Sequence, residues 1–124
     1  MEWQVYKVGE ASGKSVPFVS IGRGQLIFSA VACKLVNDNG NYKYAKILTG
    51  KERNKQVVAV KFLEEYEEYS LPIKRKRANG KEIQGMTIAN KGAVEDLFGK
   101  DGANDGMRRR RVELIENNIL KIID

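Results

Sequence analysis

The stretch VSIGRGQLIFSAVACKLV, Val19 to Val36, decides how this 124-residue chain folds. Phe18 to Ile21 is apolar and β-favouring, and Gly22-Arg23-Gly24 then interrupts it. Gln25 to Phe28 resumes an extended pattern. Ser29 follows in the position of a helix N-cap, because its hydroxyl accepts from the first free amides of a helix. Val31, Ala32, Leu35 and Val36 then fall at i, i+1, i+4 and i+5, one face of a short helix. The unit is a strand, a glycine break, a second strand and a capped helix.

Working outward, Trp3 to Val8 reads as an additional first strand. Gly9 to Ser15, GEASGKS, looks at first like a phosphate cradle, but only three residues separate its glycines. The cradle also has to open a helix, whereas VPFVSI follows, with Pro17 in a β-branched run. A Gly/Ser turn between strands is the reading adopted. Beyond the helix, YKYAKIL reads as a strand, TGKERNK as a turn and QVVAVKFL as a largely buried strand. The acidic run Glu64 to Glu68, with Ser70 and Pro72, reads as a join. IKRKRANGKEI resembles a basic hairpin around Asn79-Gly80, and MTIA is extended. Asn90 then caps a helix, KGAVEDLFG, with Val94, Leu97 and Phe98 inward and Gly99 as its stop. MRRRRVELI and ILKIID are strands joined at Glu116-Asn117-Asn118.

The second half therefore repeats the order of the first. A shift of 62 residues, half of 124, sets Ile21 on Ile83, Leu26 on Ile88, Leu35 on Leu97 and Val57–Val60 on Ile119–Ile122. The expected fold is α+β, mostly β. One compact domain, 1–124, holds two similar strand–strand–short helix–hairpin units, 16–63 and 80–124, joined by 64–79. Together they form a pseudo-symmetric, β-barrel-like core.

Composition narrows the chemistry. Histidine is absent and Cys33 is the single cysteine. That removes the usual neutral-pH proton shuttle, a Cys–His nucleophile pair, an internal disulfide and any ordinary zinc site. Neither enzyme chemistry nor a metal, cofactor or small-molecule substrate is expected. No apolar run approaches the ~20 residues of a membrane helix, and the N-terminus lacks a signal-peptide pattern. A cytoplasmic protein is expected. The net charge of +6 favours an anionic partner.

The VSIGRGQLIFSAVACKLV stretch resembles the DNA-binding arm of AbrB-type swapped-hairpin transcription factors. Arg23-Gly24-Gln25-Leu26 matches that family's basic turn, Ser29 to Val36 its short helix, and Tyr42 to Leu63 supplies a hairpin. From Lys81 on, the second half is similar only in element order. The chain departs from the family in having Phe28-Ser29 where a proline commonly precedes the helix, and Lys34 as the only basic residue in the helix. The resemblance implies a swapped-hairpin core in which two arms pack together within one chain. It also implies DNA contacts from Arg23, Gln25 and Lys34.

The densest charge runs are Lys74-Arg75-Lys76-Arg77 and Arg108-Arg109-Arg110-Arg111. Successive strand residues point to opposite faces, and an unpaired buried arginine is prohibitive. The arginine run is therefore expected on an exposed edge or ribbon, or paired with Asp101, Asp105 or Glu113. The expected function is a small non-enzymatic DNA-binding regulator, DNA being favoured over RNA, with homodimerisation open. Two alternatives stand beside it. One is a β-rich single-strand binder that stacks bases on Trp3, Tyr6, Tyr42, Tyr44, Tyr66 and Tyr69. The other is a phage- or mobile-element-type structural or assembly protein whose basic runs make protein contacts.

Overall fold

A computed structural model describes residues 2–3, 16–75, 77–78, 81–82, 85–99 and 107–123. The expected Trp3 strand, the Gly9–Ser15 turn and Lys76 fall largely or wholly outside this set. The elements in chain order are β1 (Phe18–Gly22), β2 (Gln25–Phe28), α1 (Ala30–Leu35), β3 (Tyr44–Glu52) and β4 (Lys55–Leu63). They continue with β5 (Leu71–Lys74), β6 (Arg77–Ala78), β7 (Lys81–Glu82), β8 (Met86–Ala89), α2 (Lys91–Phe98), β9 (Arg108–Glu116) and β10 (Ile119–Ile122).

Alternation in β1 and β2 sends Val19, Ile21, Leu26 and Phe28 inward, each at most 1% exposed. A two-stranded ribbon buries only one side of such a stripe, so it needs further strands to cover it. The other half of the chain supplies them. Eight strands close into an antiparallel barrel in the order β1-β2-β8-β5-β3-β4-β10-β9, while β6 and β7 form a separate hairpin. Around the ring, strand pairs from the first and second halves alternate, so neither half closes a sheet alone. At both of two junctions the register places residues 62 apart opposite each other: Leu26 faces Ile88, and Ala59 faces Lys121. The barrel is thus mostly β, and the 62-residue shift relates β2 to β8 and β4 to β10.

The core joins elements from both halves. Phe28 and Phe62 meet edge to face at 5.2 Å, and Val60, Met86, Ile88 and Leu120 are fully buried. Each helix covers the barrel with a few residues: α1 buries Ala32 and Cys33, with Val36 just after it, and α2 buries Val94. Both expected caps are in place. Ser29 Oγ accepts from the amides of Ala32 and Phe18, and Asn90 Oδ1 accepts from that of Ala93. The stop at Gly99 takes φ +58°, in the left-handed region where glycine is unstrained. The inward face of α1 is rotated from expectation, since Cys33 replaces Val31 among the buried positions.

Three expectations need correction. The join 64–79 contains β5, which pairs with β8 as β1 pairs with β2. The second half therefore begins at Leu71, and the β6–β7 hairpin is an insertion between its first two strands. TGKERNK is not a long turn, because β3 runs to Glu52 and β4 starts at Lys55. Arg53 and Asn54 alone make the turn, at φ 53° and 66°, a geometry whose twist matches the flanking strands and lets them continue through polar residues. Finally, Arg108–Arg111 is not an edge. β9 lies between β1 and β10, with Val19 opposite Arg110 and Ile21 opposite Arg108.

Candidate nucleic-acid interface

Strand direction assigns each turn to an end of the barrel. Every neighbouring pair in the ring is antiparallel, so β1, β8, β3 and β10 run one way and the rest the other. The β1–β2 turn, the β3–β4 turn, the start of β9 and the start of α2 therefore share one end, called here the turn end. Helix α1, the end of β5 and the loop after β4 lie towards the other.

At the turn end, Arg23 (φ 52°) and Gly24 (φ 70°) form a two-residue turn of the same left-handed type as Arg53-Asn54. Gly24 is required twice over. Its φ lies in the left-handed region and a Cβ there would sit 2.8 Å from the Lys91 Cα, while its carbonyl accepts the Asn90 amide at 3.1 Å. This contact locks the basic turn of the first half onto the capped helix of the second. Arg23 is exposed beside it.

The four arginines of β9 divide by face. Arg108 and Arg110 share the face of buried Val112, at the mouth of the barrel, and the guanidinium carbon of Arg110 lies 5.5 Å from the Phe98 ring centre on α2. Arg109 and Arg111 point to the outer wall, and both are exposed. Arg109 stacks over Phe18 with its guanidinium carbon 4.4 Å from the ring centre. Such stacking holds the planar head in place while leaving its N–H edge for a partner.

The outer wall continues across β10 and β4. Lys121 faces Glu113 on one side and Ala59 on the other, with Lys61 and Lys55 on the same outward register of β4. Lys121 also donates to Glu52 on β3, and this contact holds the Glu52 carboxyl below its usual range. The outer wall of β9, β10 and β4 thus carries Arg109, Arg111, Lys121, Lys61 and Lys55 against Glu113 and Glu116. Glu52 faces outward on β3 beside it.

Lys74 and Arg75 belong elsewhere. β5 stands four steps from β9 around the eight-strand ring, on the opposite side. Arg75 is a structural clamp: its Nη1 and Nη2 donate to both Asp38 oxygens at 2.7 and 2.9 Å, and Nη2 also donates to the Tyr42 carbonyl. The two side chains are 16% and 8% exposed. Burial acts to raise the Asp38 pKa, but the Arg75 hydrogen bonds, the Gly40 amide and the Arg75 charge outweigh it and hold the carboxyl below 3.8. An arginine engaged in this way is not a phosphate contact, so the expectation for Arg75 is withdrawn. Lys74 is exposed on β5, and the Arg77 backbone pairs with Glu82 in the hairpin.

The residues carried over from the AbrB resemblance are not brought together. Arg23 and Gln25 are at the turn end, with Gln25 half-buried between Gly22 and Ala89. Lys34 is exposed on α1, towards the other end. The exposed tyrosines, Tyr66 and Tyr69, sit in the loop that carries Glu64, Glu65, Glu67 and Glu68. Tyr42 packs on Phe62 and donates to the Val36 carbonyl. Of the expected aromatic platform, Tyr42 thus packs in the core, Tyr44 meets Tyr66, Tyr66 and Tyr69 lie in an acidic loop that repels a polyanion, Trp3 is exposed, and Tyr6 is outside the described residues. Cys33 is buried among apolar side chains, and that burial, helped by the Asp38 charge, pushes its thiol up to about 12. It stays protonated and unreactive at neutral pH. Among the described residues, no group of three His, Cys, Asp or Glu side chains is placed to hold a metal ion. No described helix is long and apolar enough to cross a membrane.

Sequence reasoning missed Lys51, Arg53, Lys55, Lys61 and Lys121. No local signal marked them, because the residues that flank Arg53-Asn54 are polar and show no alternation. No protein-family model, curated protein or solved structure matches the chain.

Proposed function

We propose that the protein binds duplex nucleic acid, DNA above all, through the outer wall of β9, β10 and β4, and acts as a non-catalytic regulator. One observation carries the reading: Arg109 and Arg111 stand side by side on an outer wall that Lys121, Lys61 and Lys55 continue across two more strands. Side chains at i and i+2 on a strand are ~6.8 Å apart, and neighbouring strands ~4.8 Å. Phosphates recur every ~3.4 Å along one strand of duplex, so a stepped array of cations at these intervals meets a phosphate backbone at several points. Arg23 extends the array at the turn end. The arginines supply bidentate forks and the lysines point charges.

The reading keeps the outward part of Arg108–Arg111 as the phosphate contact and drops Arg75. It is tested by fluorescence anisotropy with a labelled 30-base-pair duplex and with the matching single strand, at 50 and 200 mM salt. Five contacts, from Arg23, Lys55, Lys61, Arg109 and Arg111, predict a log–log salt slope of about −4.5, a loss of several hundredfold over that range. Duplex is expected to bind more tightly than single strand. Duplex binding that is absent at 50 mM salt, or unchanged between the two concentrations, rejects the proposal.

A further inference from the structure

We propose that the β3–β4 hairpin is a recognition arm whose tip, Lys51 to Gln56, enters the major groove of the duplex. The inference rests on the nucleic-acid reading above and adds where base edges are met.

The arm is defined by where its neighbours stop. β3 and β4 pair along their full length, from Tyr44 opposite Leu63 to Glu52 opposite Lys55. β5 holds β3 only at Tyr44 and Ala45, and β10 holds β4 only from Val58 to Lys61. Beyond Thr49 and Val58, no other described strand is paired to the ribbon. Three further residue pairs and the turn carry it ~13 Å beyond its last strand partner at ~3.4 Å per residue. All residues from Thr49 to Gln56 are exposed.

The dimensions suit one groove. Two strands ~4.8 Å apart form a ribbon that the major groove, about 12 Å wide and 8.5 Å deep, accommodates. The minor groove, about 6 Å wide, does not. The arm also has a firm base. Leu48, Gly50, Val57, Ala59 and Ile115 line one outer groove with Lys121 and Glu52, the Lys121–Glu52 pair ties the outermost residue of the ladder back to β10, and Lys55 to Val58 line a second groove with Leu97 and Phe98 of α2. The ion pairs Lys46–Glu67, Arg75–Asp38 and Lys121–Glu52 leave Lys51, Arg53 and Lys55 out.

The tip chemistry departs from what the turn alone asks for. Turns of this type favour Asn-Gly, because both central residues take positive φ. Here an arginine holds the first position at φ 53° and an asparagine the second at φ 66°. A strained arginine at a solvent-exposed tip does nothing for the fold that asparagine would not do better. Arginine reads guanine O6 and N7 with two donors, and asparagine or glutamine reads adenine N6 and N7. Arg53, Asn54 and Gln56 place those side-chain types at the projecting end.

The test uses the full chain and a mixed-sequence 30-base-pair duplex whose cytosines are either plain or carry a glucosylated hydroxymethyl group. The modification fills the major groove and leaves the phosphates unchanged. The wild type is expected to bind the modified duplex at least tenfold more weakly than the plain one. The double variant Arg53→Asn with Asn54→Gly keeps a favoured turn and is expected to melt no lower than the wild type. It should lose roughly tenfold in affinity for plain duplex and discriminate little between the two. Equal binding of both duplexes by the wild type overturns the arm, as does wild-type behaviour of the double variant, while the wall reading stands. Failure of the wild type to bind any duplex overturns both.

Discussion

Lys74–Arg77 and Arg108–Arg111 are nearly interchangeable as strings, yet Lys74 and Arg75 end on the opposite side of the barrel from the arginine run, with different work. In the first, Arg75 is folded against Asp38 and the Tyr42 carbonyl, joining β5 to the segment after α1. In the second, strand alternation directs Arg109 and Arg111 to an exposed wall and Arg108 and Arg110 to the barrel mouth. The lesson is that a run of cations has no role until its partners are known. A carboxylate within reach turns an arginine into a clamp, and an adjacent row of lysines makes it part of a binding surface.

The sharpest way to separate the two runs is Arg75→Ala. It strands the Asp38 carboxylate in a nearly buried site, and removing one partner of such a pair costs about 3–5 kcal/mol. Urea unfolding should show that loss, while duplex affinity per folded molecule stays unchanged. An unaltered midpoint would place Arg75 with the surface cations after all.

The partner side of the same clamp predicts a pH effect. Asp38 is held below 3.8 in the folded state, so its contribution is fully present above the unfolded carboxylate value. It fades as pH falls through the lower folded value. Asp38→Asn should therefore cost about 2 kcal/mol at pH 7, the worth of charge-assisted hydrogen bonds, and progressively less in acid. Thermal melts between pH 7 and pH 2 would reveal it, and a constant difference across that range would contradict it.

Replacing Arg109 and Arg111 together with alanine probes the other run. The salt slope for duplex binding should fall by about 1.8, at ~0.9 per phosphate contact. Losing the Arg109–Phe18 stack should cost only about 0.5–1 kcal/mol of stability. A large stability loss with an unchanged slope would make this run structural, reversing the comparison. The smallest effect is expected of Lys74→Ala, an exposed position on β5. Stability should stay within about 0.5 kcal/mol and the salt slope should not move.

Local chemistry made much of the fold legible. Ser29 and Asn90 are caps wherever they stand before such segments, Gly99 ends a helix, and Val19, Ile21, Leu26 and Phe28 alternate as a half-buried hairpin must. The likeness of β2 to β8 and of β4 to β10 was legible too, because the 62-residue shift superimposes their apolar patterns, but the same shift missed β5 as the counterpart of β1. The length of β3 and β4 was not. Their outer residues are polar, and only the ladder between them and the left-handed Arg53-Asn54 turn extends the ribbon. β5 was hidden in the same way, as four residues beside an acidic run whose apolar pair, Leu71 and Ile73, gains meaning only against β8 and β3.

The amino-acid order by itself determined most of the elements, their caps, the likeness of β2 to β8 and β4 to β10 at 62 residues, and a positive net charge with no histidine and a single cysteine. Those are consequences of nearest-neighbour propensity, periodicity and composition, which act within a few residues. Only the tertiary structure decided which cations share a surface. Ring closure interleaves strands from distant parts of the chain, and the distance between two charges depends on that ring rather than on their separation in sequence.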